Sequence, residues 1–294
     1  MPVGHFPLKD RLIVVTGGGS GICLAFVRLA MQSGARGVLI CDLRLTPEAE
    51  SLIGEKVHFL RCDVANWRHL EYIPKKVEKC FGAGQVADIW IAGAAIFEPE
   101  WSSWLYDTEK EGGYHAMRVN AEHPMKFTRI AMRSCLSVNK PCVVLILSSI
   151  AGIYGGYATA MYCATKHAVT GFTKSMAQAD IDESCKVVAI LPGQVSTPLW
   201  TGPAGRKMAA QFSYREKNSI SAEEVAEAMK EVIEDGEGRY PGGTLLGVSK
   251  ARRREVFESL QGIVGDGSVA FKKWQDRVFE PVREVFRKER GARL

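Results

Sequence analysis

Leu12-Ile-Val-Val-Thr16-Gly-Gly-Gly-Ser-Gly21-Ile-Cys23 is the stretch on which the fold turns. Four consecutive apolar residues are what a strand buried on both faces of a parallel sheet requires. The glycines that follow allow a tight turn, and residues 22–31 carry apolar side chains at helical spacing. Strand, turn and helix in direct succession put free N–H groups and the positive end of a helix dipole beside bare backbone. A pyrophosphate can approach there. A glycine-rich turn alone says little, but in this context it points to a nucleotide.

Outward from that stretch the same alternation repeats. Apolar runs at 37–41, 56–61, 88–92, 142–147, 186–191 and 243–248 read as further strands. Helical periodicity covers 67–81, 114–136, 162–181 and 222–233, the last capped by Ser221. Strict alternation predicts one α/β domain over residues 1–250, a doubly wound parallel sheet of about seven strands with helices on both faces. Residues 251–294 then form a basic helical extension packed on the same domain. Within it Phe271, Trp274, Val278, Val282 and Val285 step by three or four, which predicts one stripe against the body, and Pro281 is expected to kink or interrupt the helix. Two loops, 97–113 and 193–218, are long enough to overhang the carboxyl ends of the strands, where such sheets bind ligands.

Composition narrows the function. An apolar fraction of 46% and a charged fraction of 24% suit a globular protein with a sizeable core. Of the formal charge of +5, +4 falls in residues 251–294, which hold 11 Lys/Arg against 7 Asp/Glu. That segment reads either as a solvated helix face or as an anion-seeking patch that includes Arg252, Arg253 and Arg254. No alternation of aromatic and basic residues on a strand supports nucleic-acid recognition. The eight cysteines form no Cys-x-x-Cys pair and several sit in apolar runs, so they predict reduced buried thiols, with no metal site. The absence of a leader-like start and of an apolar run near the roughly 20 residues of a membrane span predicts a cytoplasmic protein.

Two further groups carry chemistry. Asp42 ends the second strand about 20 residues beyond the last glycine of the turn, where a carboxylate can accept the ribose hydroxyls of NAD and repel the 2′-phosphate of NADP. Arg44 nearby softens that repulsion, and Asp42 as a simple helix cap is the competing reading. Ser149 lies just past the fifth strand, and Tyr162-Cys-Ala-Thr-Lys166 opens the next long helix. Tyr162 and Lys166, four apart, share a helix face. A nearby ammonium is expected to lower the phenol below its ordinary value near 10, letting Tyr162 exchange a proton while Ser149 hydrogen-bonds the substrate oxygen.

Gly17 to Gly21, Ser149, Tyr162-x-x-x-Lys166, Pro192-Gly193 and Thr197 together resemble the short-chain dehydrogenase/reductase family, from about Leu8 to about Val248. The resemblance implies a Rossmann-type fold with a nicotinamide dinucleotide held by Gly17, Gly19, Ser20, Gly21, Ile22, Asp42, Asp63, Val64, Gly93, Tyr162, Lys166, Pro192, Val195 and Thr197. It also implies that Asn120, in Arg118-Val-Asn120, is the fourth catalytic residue beside Ser149, Tyr162 and Lys166, kinking its helix and holding a water that relays protons through Lys166. Family members usually carry glycine where Cys23 stands, and Asn-Asn-Ala-Gly where this chain reads Ala92-Gly93-Ala94-Ala95. Those departures bear on stability and cofactor affinity more than on activity.

The residues around Tyr162 are similar to the hydroxyprostaglandin-dehydrogenase-like branch and to oxidoreductases of microbial secondary metabolism. The expected activity is NAD-dependent interconversion of a secondary alcohol and a ketone, NADP being the lesser choice, in a homodimer or homotetramer. Trp101, Trp104, Tyr154, Trp200, Met208, Phe212 and Tyr214 near the presumed mouth suggest an apolar, polycyclic or lipid-like substrate. The alternatives are a non-catalytic dinucleotide-binding partner protein, and an enzyme of this family recruited to a coupled cyclisation or rearrangement.

Overall fold

The structure, a computed structural model, describes residues 2–97, 104, 113–202, 205–212, 214–250, 255–257 and 268–292. Trp101 and Arg252 to Arg254 lie outside the described residues, as does the side chain of Met208.

The chain runs β1 (Leu12–Thr16), α1 (Gly21–Gln32), β2 (Gly37–Asp42), α2 (Pro47–Glu50), β3 (Val57–Arg61), α3 (Trp67–Phe81) and β4 (Ile89–Ala92). It continues through α4 (His115–Met117), a π-helical turn (Arg118–Glu122), α5 (His123–Ser137), β5 (Cys142–Leu147), α6 (Ala160–Ser175), α7 (Ala177–Glu183) and β6 (Cys185–Pro192). Last come α8 (Pro198–Thr201), α9 (Gly205–Gln211), α10 (Ala222–Glu234), β7 (Leu245–Val248), β8 (Glu255–Phe257) and α11 (Val269–Glu289).

One eight-stranded sheet has the order β3-β2-β1-β4-β5-β6-β7-β8. Seven strands are parallel, as the alternation requires, and β8 adds an antiparallel edge strand that sequence periodicity does not reveal. Strand order reverses between β1 and β4, so a crevice opens at their carboxyl ends. The run that opened the sequence is buried on both faces. Ile13 and Val15 face a core with Phe26 and Val27 of α1 and Val225 and Met229 of α10, while Leu12 and Val14 face Leu70, Ile73, Phe127 and Ile130 of α3 and α5. Leu12 to Val15 are all 0% exposed, each burial contributing about 1.5–3 kcal/mol. The Ser221 cap of α10 is a full capping box, with Glu224 N–H donating to Ser221 Oγ at 3.0 Å and Ser221 N–H to Glu224 Oε2 at 2.8 Å.

Two expected helices are subdivided. The 114–136 helix contains the π turn immediately before Pro124, whose ring nitrogen cannot donate to the Asn120 carbonyl four residues back, so the regular ladder breaks there. The 162–181 helix begins at Ala160 and divides at Met176 into α6 and α7.

The extension corrects one expectation. Trp274, Val278, Val282 and Val285 are 38–53% exposed, so that stripe does not pack on the body. Instead α11 leans on it through Phe286, which packs against the α5-side core and lies over Arg129, and through Arg283 paired with Asp182 at 2.8 Å. Arg129 also pairs with Glu289, and Arg290 with Glu183 at 2.7 Å. Nor does Pro281 interrupt the helix. The carbonyl it leaves without a donor belongs to exposed Arg277, where water can replace the missing bond. Among the described residues no helix is long and apolar enough to cross a membrane, and no group of acidic, histidine or cysteine side chains could hold a metal. All eight cysteines are free.

Candidate active site

The carboxyl ends of β1, β2, β4, β5 and β6 bring the expected residues to one crevice. Gly17 takes a left-handed φ of +75°, and a Cβ there would meet Ala94 N at 2.7 Å, so only glycine lets the turn lie against the end of β4. Gly17 N–H is held by Cys41 O at 2.9 Å and Gly19 N–H by Asp42 Oδ2 at 2.9 Å, which draws the Asp42 carboxylate to the turn. Ser20 is the N-cap residue of α1 with no side-chain cap bond, and the first turn beyond it, starting Gly21-Ile22, holds no acidic residue. The first turn of α1 therefore offers an anion donors and carries no acidic residue of its own.

Thr197, the N-cap residue of α8, closes the crevice from the opposite side, its Cγ2 lying 3.5 Å from where a Gly21 Cβ would stand. Val195 is buried and bridges to Ile220. Asp63 follows β3 with Oδ1 accepting from Ala65 N–H at 2.9 Å, and Val64 beside it is buried. These positions form the kind of cradle a dinucleotide fits: a floor that added Cβ atoms would fill, donors at a helix end, and a carboxylate at the end of β2 beside the turn.

The catalytic candidates meet at β5, α6 and the π turn. Ser149 starts a 3₁₀ turn, Ile150–Gly152, that packs on α6 so closely that a Cβ on Gly152 would stand 2.8 Å from Lys166 O. Ser149 Oγ accepts from Ala151 N–H at 3.2 Å, lies 3.4 Å from Pro192 O, and is hydrogen-bonded to the Tyr162 hydroxyl. Lys166, one helical turn on, is 3% exposed and donates from Nζ to Leu147 O at 2.8 Å. Burial lowers Lys166 to about 8. Burial also pushes Tyr162 up to about 12, outweighing its bond to Ser149. The lowered phenol expected from the sequence is thus reversed in the substrate-free cleft, because desolvation of a phenolate exceeds what its neighbours return.

Asn120 sits in the π turn, its amide turned to protein. Oδ1 accepts from Ile96 N–H at 2.9 Å, while Nδ2 donates to Ile96 O at 2.8 Å and to Thr165 Oγ1 at 3.2 Å. It thereby ties the segment after β4 to α6, one residue from Lys166.

Several residues of the site had no signal of their own. Phe97 packs edge-on against the Tyr162 ring, with centroids 4.7 Å apart, and touches Phe212 at 5.1 Å and Trp200 at 5.4 Å. Trp200 stacks on Tyr214 at 5.2 Å and 7°. The expected mouth residues Trp200, Phe212 and Tyr214 therefore reach Tyr162 through Phe97, whereas Tyr154 and Trp104 are exposed. Thr16 Oγ1 accepts from Gly93 N–H at 3.0 Å, with His123 Nε2 behind it at 3.1 Å. This supplies a brace where the family's asparagines are missing. A histidine beside a proline in mid-helix gives no local hint of that use.

Comparison with known proteins agrees with this geometry. The profile of the family described as short chain dehydrogenase matches residues 11–207. L-fucose dehydrogenase of Bos taurus is 31% identical over 194 residues, 65% of this chain and 68% of its own length. 3beta-hydroxysteroid dehydrogenase 2 of Eggerthella lenta is 29% identical across 82% of this chain and 95% of its own. A (+)-cis,trans-nepetalactol synthase of Nepeta racemosa is 26% identical across 81% and 92%. The crystal structure of gox2181 has the same fold, with a TM-score of 0.67 and 22% identity over 82% of this chain and 94% of that one. The chain belongs to the short-chain dehydrogenase family, whose enzymes use nicotinamide dinucleotides.

Proposed function

We propose that the protein is an NAD-dependent oxidoreductase that interconverts a secondary alcohol and a ketone on an apolar, ring-bearing or lipid-like substrate, with Tyr162 as acid/base. The observation that carries this reading is the Ser149–Tyr162 hydroxyl pair beneath the aromatic wall of Phe97, Trp200, Phe212 and Tyr214. Two hydroxyls that share a proton can hold one oxygen between them, and the wall offers stacking surface and excludes water.

The glycine turn, Asp42, Asp63-Val64, Val195 and Thr197 would hold the dinucleotide, and Lys166 would reach its nicotinamide ribose. When bound, that group accepts or donates hydride at the reacting carbon. Ser149 orients the substrate oxygen, and Tyr162 gives it a proton in reduction or takes one in oxidation. A phenol held near 12 is already in the form that donates to a ketone oxygen. Oxidation needs it deprotonated. Lys166, anchored on Leu147 O, supplies positive charge behind the ring, 5.6 Å from its centroid. Asn120 keeps α6 in register with the segment after β4. Asp42 favours NAD because a second negative group at the ribose would face its carboxylate.

The steroid dehydrogenase among the relatives supports a polycyclic substrate, and the nepetalactol synthase supports the coupled-cyclisation alternative as a second reading. A homodimer or homotetramer belongs to the same proposal, checked by light scattering. Cyclic, steroidal and long-chain alcohols and ketones, screened with NAD and NADP at the nicotinamide absorbance, test the reading. Turnover of an apolar cyclic alcohol with NAD is expected. Exclusive use of polyols, or a preference for NADP, would overturn it.

A further inference from the structure

Two departures from the family pattern, far apart in sequence, meet in space. Cys23 is the third residue of α1, and Gly93 follows the last residue of β4. A Cβ placed on Gly93 would lie deep inside the 3.0 Å limit from Cys23 Sγ, with Thr16 O at 3.0 Å and Leu147 Cδ1 at 3.2 Å closing the other sides. Cys23 is 3% exposed. The end of β4 is held in the sheet, Ala92 pairing with Thr16 of β1 and with Ile146 of β5, so the strain falls on α1. With the Cys23 sulfur where it stands, a methyl at position 93 has no room, so one of the two groups must give way.

We propose that Cys23 is a positioning residue of the dinucleotide cleft, and that Cys23 and Gly93 act as one unit setting how closely the first turn of α1 approaches the end of β4. The inference rests on the dinucleotide reading above. Its logic is mechanical. The thiol is a spacer between the sheet and the helix end whose N–H groups face the pyrophosphate position, so displacing the thiol displaces those donors. Burial pushes the Cys23 thiol up to about 12, so it packs as a neutral group and adds no negative charge beneath the phosphates.

The test is a double-mutant cycle with Cys23→Ala, Gly93→Ala and the pair together, read by NADH fluorescence titration and by thermal unfolding of the apo protein. Cys23→Ala keeps its Cβ but removes the sulfur spacer, so NADH affinity should weaken about three- to tenfold. Gly93→Ala should weaken NADH binding at least tenfold and lower Tm by roughly 3–8 °C, because overpacking drives α1 outward. The double variant should regain NADH affinity to within about threefold of the wild type, the sulfur that blocked the new methyl being gone. Wild-type affinity in Gly93→Ala, or a double variant no better than Gly93→Ala, would overturn the proposal. Coupling in Tm without coupling in NADH affinity would overturn the positioning role and reduce the pair to packing. A wild-type protein that binds neither NADH nor NADPH would instead sink the dinucleotide reading itself.

Discussion

The ammonium of Lys166 donates to the main-chain oxygen of Leu147, 2.8 Å away, while lying 5.6 Å from the centre of the Tyr162 ring. The last residue of β5 therefore sets where the positive charge sits, and burial sets how acidic the phenol is before substrate arrives. A family motif that reads as a two-residue device is in this chain a four-group arrangement of Leu147, Ser149, Tyr162 and Lys166.

With Tyr162 raised to about 12, kcat/KM for alcohol oxidation should rise between pH 6 and 8 as the phenolate fraction grows and level off above about 8, where Lys166 loses the charge that favours the phenolate, while ketone reduction should stay level or fall. Tyr162→Phe should remove about 10²–10⁴-fold of turnover in both directions and leave NADH affinity within about threefold. Initial rates across pH, with fluorescence titration of NADH, check both. An oxidation rate that falls from pH 6 to 8 would contradict the arrangement.

His123 is fully buried, with Nδ1 at 3.1 Å from Val119 O and its pKa lowered by burial to about 3 from the ordinary 6.5. Below pH 6.5 the folded protein binds fewer protons here than the unfolded chain. The stability this group contributes is whole above pH 6.5 and is lost as pH falls toward 3, by on the order of 5 kcal/mol in full. Thermal unfolding from pH 8 down to 4.5 should show a falling Tm, and His123→Gln should flatten that slope while lowering Tm at pH 7.

Asp42 accepts from Gly19 N–H, and the proposal puts its carboxylate at the ribose. Asp42→Ala should cut kcat/KM with NAD about tenfold or more and raise it with NADP, reversing or levelling the preference. Parallel assays with both cofactors on one substrate decide it. An unchanged ratio would leave Asp42 as a brace of the turn.

Phe286→Ala removes an apolar anchor of α11 and the ring beneath Arg129. It should cost about 1–2 kcal/mol, the ring being half-buried, and raise amide exchange across 268–292 with little change in NADH affinity. Exchange spread evenly over the sheet instead would show that α11 does not undock as a unit.

Much of this was legible in the chain. The run Leu12 to Val15, the glycine turn, Asp42 at a strand end and the Ser149, Tyr162, Lys166 set are short-range patterns, and each lands where its period and neighbours place it. The sequence by itself determined the alternating sheet and the crevice at its carboxyl ends, because burial on two faces and a helix start leave their marks within a few residues. Only the tertiary structure decided that Tyr162 becomes less acidic rather than more, that the Trp274-to-Val285 stripe faces outward, and that Cys23 excludes a side chain at position 93. Desolvation, facing and contact depend on atoms delivered by segments tens of residues away, and no local period records which of them arrive.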